Sequence, residues 1–221
     1  MVKITVDDRE LEVEEHLTVL EACIQNGIFI PNLCFLKTRH HPHASCRLCF
    51  VSIEGYDRPV TSCTERVRDG MVVKTNTPEV RALQKSAFKL LMSLHPCHPK
   101  ICPTEKPCLL MRIAKHIGVG LNPKPLEHID RGLPDLVDFG PLYYVPNRCV
   151  LCAKCIHTCR TINQMPLLTF AKRGIMTMVA YFDGEQNTSI CANCNACVDV
   201  CPVAALLPKS AFTSSVESRK A

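Results

Sequence analysis

The sequence predicts an α+β protein of three modules and a short tail. Three observations carry this. Residues 1–77 follow a hairpin–helix–strand pattern, residues 78–140 show helical periodicity broken by a His- and Cys-rich loop, and residues 141–209 hold two cysteine runs of identical spacing. Residues 210–221 are polar and small and read as a tail.

In the first module Val2, Ile4 and Val6 alternate, Asp7–Arg9 turns, and Leu11 and Val13 alternate again, which predicts a β-hairpin. Thr18-x-x-Glu21 is a capping-box signature for a helix ending near Asn26, with Gly27 as its stop. Strand-like runs follow at Leu48–Ile53 and Met71–Lys74. Hairpin, helix and further strands together point to a β-grasp arrangement. Thr77 and Pro78 then read as N-cap and first helical residue. Val80, Leu83, Ala87, Leu90, Leu91 and Leu94 continue at helical spacing. A loop from His95 to Cys108 precedes a second helix, Leu109–Ile117, and the Pro- and Gly-rich stretch 119–147 reads as a connector.

The third module decides the chemistry. Cys149, Cys152, Cys155 and Cys159 form one C-x2-C-x2-C-x3-C run, and Cys191, Cys194, Cys197 and Cys201 form a second, closed by Pro202. This is the spacing of a protein holding two [4Fe–4S] clusters, in which the fourth cysteine of each run serves the other run's cluster. Three thiolates on one tight loop can cap three irons of a cubane, while the fourth iron points toward the neighbouring segment. The expected ligand sets are therefore Cys149, Cys152, Cys155 and Cys201 for one cluster, and Cys191, Cys194, Cys197 and Cys159 for the other. Paired zinc sites also use C-x2-C, but two fourfold runs fit a four-ligand ion poorly.

Cys34, Cys46, Cys49 and Cys63 are spaced C-x11-C-x2-C-x13-C. Four thiols on a small β domain suit a [2Fe–2S] rhomb with two ligands per iron, though the spacing departs from the plant-ferredoxin pattern, and a structural zinc is the alternative. Cys23 lies on the apolar helix face with Val19 and Leu20 and reads as a buried small hydrophobe. In the loop His95-Pro-Cys97-His98-Pro-Lys-Ile-Cys102-Pro-Thr-Glu-Lys-Pro-Cys108, three cysteines and two histidines suffice for a further cluster of mixed ligation, or for a Cys/His zinc site. His40, His41 and His43 read as a solvated loop, and His116, His128 and His157 have no ligand set around them.

Composition narrows the class. Sixteen cysteines in a chain with no secretory leader pattern point to a reducing, cytoplasmic setting and to metal ligation rather than disulfides. No stretch approaches the ~18 apolar residues of a membrane span, so no direct membrane insertion is expected. The formal charge is +5. Four clusters with their thiolates would bring about −7, leaving about −2. With Lys and Arg scattered and no Trp, a nucleic-acid partner is excluded. The chain has no G-x-G-x-x-G fingerprint, P-loop or nucleophile motif, so no nucleotide site or bond-making chemistry is expected.

With these cysteine sets in this order, the chain resembles the diaphorase-side iron–sulfur subunit of soluble NAD(P)-linked [NiFe]-hydrogenases. It is similar also to the N-terminal part of the large iron–sulfur subunit of respiratory complex I, and to the corresponding module of electron-bifurcating hydrogenases and NAD-linked formate dehydrogenases. The carrying residues are Cys34/Cys46/Cys49/Cys63, the stretch Asn147-Arg148-Cys149-Val150-Leu151-Cys152, and Cys191-Ala-Asn-Cys194-Asn-Ala-Cys197-Val-Asp-Val-Cys201-Pro202, and the likeness covers residues 1–209. It implies a bacterial ferredoxin-like C-terminal module, one [2Fe–2S] and three [4Fe–4S] clusters, and a non-catalytic electron-transfer subunit. The implied partners are a flavin/NAD(P)-binding diaphorase-type subunit and either a hydrogenase small subunit or a formate dehydrogenase catalytic subunit.

The middle loop departs from the family's H-x3-C-x2-C-x5-C. His95, Cys102 and Cys108 match, but Pro99 stands at the remaining cysteine position. Cys97 is the expected replacement, giving His95, Cys97, Cys102 and Cys108, with His98 as the alternative. An iron–sulfur subunit of succinate dehydrogenase or fumarate reductase is the other electron-transfer reading, and the long Cys34–Cys46 gap argues against it. A zinc-stabilised scaffold is the reading from another class.

Overall fold

The computed structural model describes residues 1–95, 108–122, 129–192 and 194–209. They fall into two compact units, one of residues 1–91 and 113–120 and one of 92–112 and 121–221, so the division falls within two helices rather than between predicted modules.

The first unit opens with the expected hairpin, β1 (Val2–Val6) against β2 (Arg9–Val13), in register from Val2↔Val13 to Val6↔Arg9. Asp7 and Asp8 turn it with φ of 47° and 69°, as a two-residue hairpin requires of both loop positions. The Asp7 carboxylate also accepts from the Thr75 N–H at 2.8 Å and from the Thr75 hydroxyl, tying the turn to the end of β5 (Met71–Lys74). β5 runs parallel to β1. β3 (Phe50–Ile53) and the short β4 (Val60–Thr61) complete a five-stranded sheet of order β2-β1-β5-β3-β4.

α1 (Val19–Gln25) starts at the Thr18/Glu21 capping box, with both reciprocal bonds present. Its apolar side, Val19, Leu20, Ala22 and Cys23, is fully buried against Ile4, Val6, Leu11 and Val73 of the sheet. Cys23 is part of this core; burial, with Asp7 adding to it, pushes its thiol up to about 12. α2 (Pro78–Leu94) begins where Thr77 Oγ1 accepts the Val80 N–H, and α3 (Leu109–Ile117) covers the predicted second helix. Arg81 donates to the His116 carbonyl at 2.9 Å, and the His116 ring meets Phe29 edge-on.

The second unit corrects one expectation. The stretch 119–147 is not only a connector: it holds β6 (Val137–Asp138) and β7 (Leu142–Tyr144), which join β10 (Leu206–Pro208) in a sheet of order β10-β7-β6. Gly140, at φ 85°, makes the turn between β6 and β7, with its N–H on Asp138 Oδ1 at 2.7 Å. Leu142 and Tyr144 face the core. A second hairpin pairs β8 (Leu168–Ala171) with β9 (Met178–Tyr181). α4 (Lys154–Asn163), α5 (Glu185–Cys191) and α6 (Ala196–Asp199) carry the two cysteine runs. Phe139 stacks between Tyr144 and Tyr181, with ring centroids 5.4 and 5.6 Å away.

Candidate metal centres

The first run begins on a loop and ends on α4, whereas the second starts at the last residue of α5, passes through α6 and ends on the loop after it. Both runs turn sharply because Leu151 (φ 53°), Ala153 (φ 58°) and Asn195 (φ 46°) sit in the left-handed region. Ala153 follows Cys152 just as Asn195 follows Cys194, so the two runs share this bend. Such a conformation costs a non-glycine residue about 1–2 kcal/mol. It is held because the bend turns N–H groups toward sulfur: the Leu151 N–H faces Cys149 and the Lys154 N–H faces Cys152. The helices then place the remaining thiols. Cys155 and Cys159 are one turn apart on α4 and both buried, since i and i+4 share a helix face.

The eight thiols gather into two cavities. Cys149, Cys152, Cys155 and Cys201 line one, and Cys159, Cys191, Cys194 and Cys197 line the other. In each case three thiols come from one run and the fourth from its partner run. In the first cavity the Ala205 N–H donates to Cys201 Sγ at 3.3 Å. In the second, Asn163 Nδ2 donates to Cys159 Sγ at 3.5 Å. Burial pushes Cys149, Cys152, Cys155, Cys191 and Cys197 up, Cys152 and Cys197 to about 12, and neighbouring cysteines add to it. A group of four such thiols ionises together only against compensating positive charge, which an iron core supplies.

In the first unit Cys34, Cys46, Cys49 and Cys63 come together, all nearly fully buried. They stand as two pairs. Cys34 Sγ lies 3.4 Å from Cys46 Sγ, and Cys49 bonds Cys63. In each pair the S–H···S bond favours one thiolate and opposes the second: Cys34 is drawn down to about 5, Cys49 is lowered, and Cys46 and Cys63 are raised. Arg47, at φ 53°, bends the loop between Cys46 and Cys49, and the Leu33 N–H points at Cys46 Sγ at 3.5 Å. Among the described residues no three His, Cys, Asp or Glu side chains close on the point that a single ion would occupy.

Of the middle set, His95 and Cys108 are described, whereas Cys97, His98 and Cys102 lie outside the described residues. His95 follows the last residue of α2 and is only 7% exposed. Its Nδ1 is 2.8 Å from the Arg148 carbonyl. A carbonyl can only accept, so Nδ1 carries the proton and the ring's lone pair is on Nε2. This is how metal-ligating histidines are commonly oriented. The Arg148 carbonyl is bonded directly to the nitrogen of Cys149, so one peptide group joins the His95 ring to the first cavity. Cys108, half-buried, precedes α3.

Tyr144, Tyr181, Asn163 and Arg131 were missed by sequence reasoning. Asn163 had a signal, standing four residues after Cys159 on a helix. Tyr144 and Tyr181 line the first and second cavity, respectively. His40, His41 and His43 are exposed, as expected. His157 Nε2 is buried without a hydrogen-bond partner among the described residues.

Two regions of the chain match known iron–sulfur families. Residues 1–78 match the family described as a 2Fe-2S iron-sulfur cluster binding domain, and residues 185–207 match a 4Fe-4S binding domain. The chain is 36% identical over 212 residues, 94% of its length, to an NADH-quinone oxidoreductase subunit of Rhizobium meliloti (strain 1021), of which it covers 24%. It is 31% identical over 223 residues, 99% of its length, to the HndD subunit of the NADP-reducing hydrogenase of Solidesulfovibrio fructosivorans, of which it covers 38%. The chain is a homologue of these oxidoreductase subunits. A crystal structure of NAD+-reducing [NiFe]-hydrogenase in the H2-reduced state superposes with a TM-score of 0.78 at 25% identity, covering 95% of this chain and 88% of that one. These homologues share the iron–sulfur region, and the chain spans well under half the length of both named relatives. Among the described residues no helix is long and apolar enough to cross a membrane.

Proposed function

We propose that this chain is a non-catalytic electron-transfer subunit, cytoplasmic, of an NAD(P)-linked oxidoreductase complex. It relays single electrons between a flavin/NAD(P)-binding diaphorase-type subunit and a second redox unit, a hydrogenase or formate dehydrogenase. The observation that carries this reading is the sorting of eight cysteines into two cavities of four, each drawn from both runs. Four thiols around an apolar-lined space suit a cubane better than one ion. The two close thiol pairs in the first unit likewise suit two irons with two ligands each.

In this reading a β-grasp domain holds a [2Fe–2S] cluster on Cys34, Cys46, Cys49 and Cys63. A ferredoxin-like domain holds two [4Fe–4S] clusters in crossed ligation. The intervening segment holds a third on His95, Cys97, Cys102 and Cys108. When bound, the clusters supply one-electron redox chemistry. The chain's own task is to keep the sulfurs buried, to aim N–H groups at them and to fix the His95 tautomer. Those are the levers by which a protein sets cluster potentials.

The test is a count of iron and sulfide with a visible spectrum. Anaerobically purified protein should carry about 14 irons and absorb near ~400 nm, for one two-iron and three four-iron clusters. Zinc in place of iron, or a count near ~6, refutes the reading.

A further inference from the structure

The two four-thiol cavities differ in one respect that their cysteines do not explain. Arg131 is 4% exposed, and it is the one buried Lys or Arg among the described residues. Its guanidinium donates to three carbonyls, Ile175 at 3.0 Å, Pro146 at 3.1 Å and Thr177. None of these is charged, and no carboxylate among the described residues forms an ion pair with it. The Pro146 oxygen also accepts the Cys149 N–H at 3.0 Å. A single carbonyl oxygen therefore lies between the Arg131 cation and the backbone of Cys149.

Tyr144 acts on the same cysteine. It is fully buried, and its Oη accepts the Val179 N–H at 3.1 Å, which leaves its own proton to donate. Burial pushes the Cys149 thiol up, while the Tyr144 hydroxyl, the Leu151 N–H and the Arg131 charge all act the other way. The second cavity has a matching tyrosine but no buried cation among the described residues: Tyr181 Oη faces Cys191 as Tyr144 faces Cys149, and Asn163 Nδ2 reaches Cys159 Sγ at 3.5 Å.

We propose that Arg131 and Tyr144 are potential-setting residues, and that Arg131, which has no counterpart among the described residues of the second cavity, holds the cluster of Cys149, Cys152, Cys155 and Cys201 at a higher potential than that of Cys159, Cys191, Cys194 and Cys197. The inference rests on the cluster reading above. One-electron reduction adds a negative charge to a cluster without changing its bonds. A buried cation and an O–H donor therefore stabilise the reduced form more than the oxidised one, in a region where such charges are weakly screened. Of the pair, the cluster beside Arg131 is the one on which an electron rests. It is also the one whose Cys149 adjoins the peptide bonded by His95.

The experiment is a potentiometric titration of the anaerobically purified full chain, followed by paramagnetic resonance. The two cubane signals are assigned beforehand with Cys152→Ser and Cys194→Ser. In the wild type the cluster of the Arg131 cavity should reduce first. At fixed potential its reduced-to-oxidised ratio should fall about tenfold in Arg131→Gln, a shift of about 59 mV for one electron, and about threefold in Tyr144→Phe. The second cluster should move much less. Arg131→Lys, which keeps the charge, should recover most of the wild-type ratio. Because Arg131 also ties three carbonyls, Tyr144→Phe is the safeguard: it removes the hydroxyl, with its bond from the Val179 N–H, and keeps the ring stacked on Phe139. Reversed reduction order in the wild type, or two intact clusters with unmoved potentials in both Arg131→Gln and Tyr144→Phe, would overturn the inference alone. Absence of both cubane signals from the wild type would overturn the cluster reading and this inference with it.

Discussion

Replacing Cys201 by serine should damage the cluster held by residues fifty positions earlier in the chain. Cys201 Sγ lies in the cavity with Cys149, Cys152 and Cys155, and its sulfur accepts the Ala205 N–H at 3.3 Å. Serine keeps nearly the same shape but offers a hydroxyl of far higher pKa, which holds iron poorly. Three thiols remain, so the loss should lie between one iron, leaving an open three-iron core, and all four. A total of about 14 irons should fall to about 10–13. The second cavity keeps Cys159, Cys191, Cys194 and Cys197. It shares α4 and the α6 region with the first, so some broadening of its signal is expected, but not its loss. Cys159→Ser is the mirror experiment and should damage the cluster of Cys191, Cys194 and Cys197. Paramagnetic resonance of the reduced variants, with iron counted on the same samples, reads both. Selective loss of the Cys191/Cys194/Cys197 signal in Cys201→Ser would show that each run closes on itself, and would refute the crossed arrangement.

Three further outcomes follow from single residues. His95→Cys should keep the iron count and lower that cluster's potential, because thiolate favours the oxidised form more than neutral imidazole does. His98→Ala should change neither quantity; loss of about four irons in His98→Ala with His95→Ala harmless would reverse the assignment. Cys23, raised from an ordinary 9.0 to about 12, gives a pH-dependent stability. The unfolded chain loses this proton first, so the contribution is whole below about pH 9 and declines by about 1.4 kcal/mol per pH unit until about pH 12. Hydrogen exchange of the α1 amides at pH 8 and 10 should show that decline in the wild type and a flatter response in Cys23→Ala. Equal slopes would refute it.

The parts of the fold legible in the sequence were those specified by near neighbours. The β1–β2 hairpin, the Thr18/Glu21 box and the Thr77–Pro78 helix start all depend on residues within a few positions of one another, and all three stand where the pattern put them. β7 was not legible, because three residues amid Pro and Gly pair along their whole length only with Leu206–Pro208, some sixty positions away, and with just the two residues of β6 nearby. Arg131 gave no signal for the same reason: its partners are carbonyls, which any sequence provides. The cysteine spacing, by contrast, named the thiols of both cavities, since a cubane imposes its own periodicity on the loops that wrap it.

The interlocking of the two runs also bears on how the protein is made. Cys159 leaves the ribosome roughly forty residues before Cys201. At about 5–20 residues per second, the first cavity spends roughly 2–8 s with three of its thiols available and the fourth, Cys201, not yet synthesised. Through that interval any iron–sulfur core placed on Cys149, Cys152 and Cys155 would have an iron open to oxygen. The second compartment has all its thiols only once translation has passed residue 197, and the first only once it has passed residue 201, so the two can be sealed within a few residues of each other. Loading of the two cores is thereby coupled into a single late event, and a nascent chain stalled between the runs would hold thiols for both compartments and close neither.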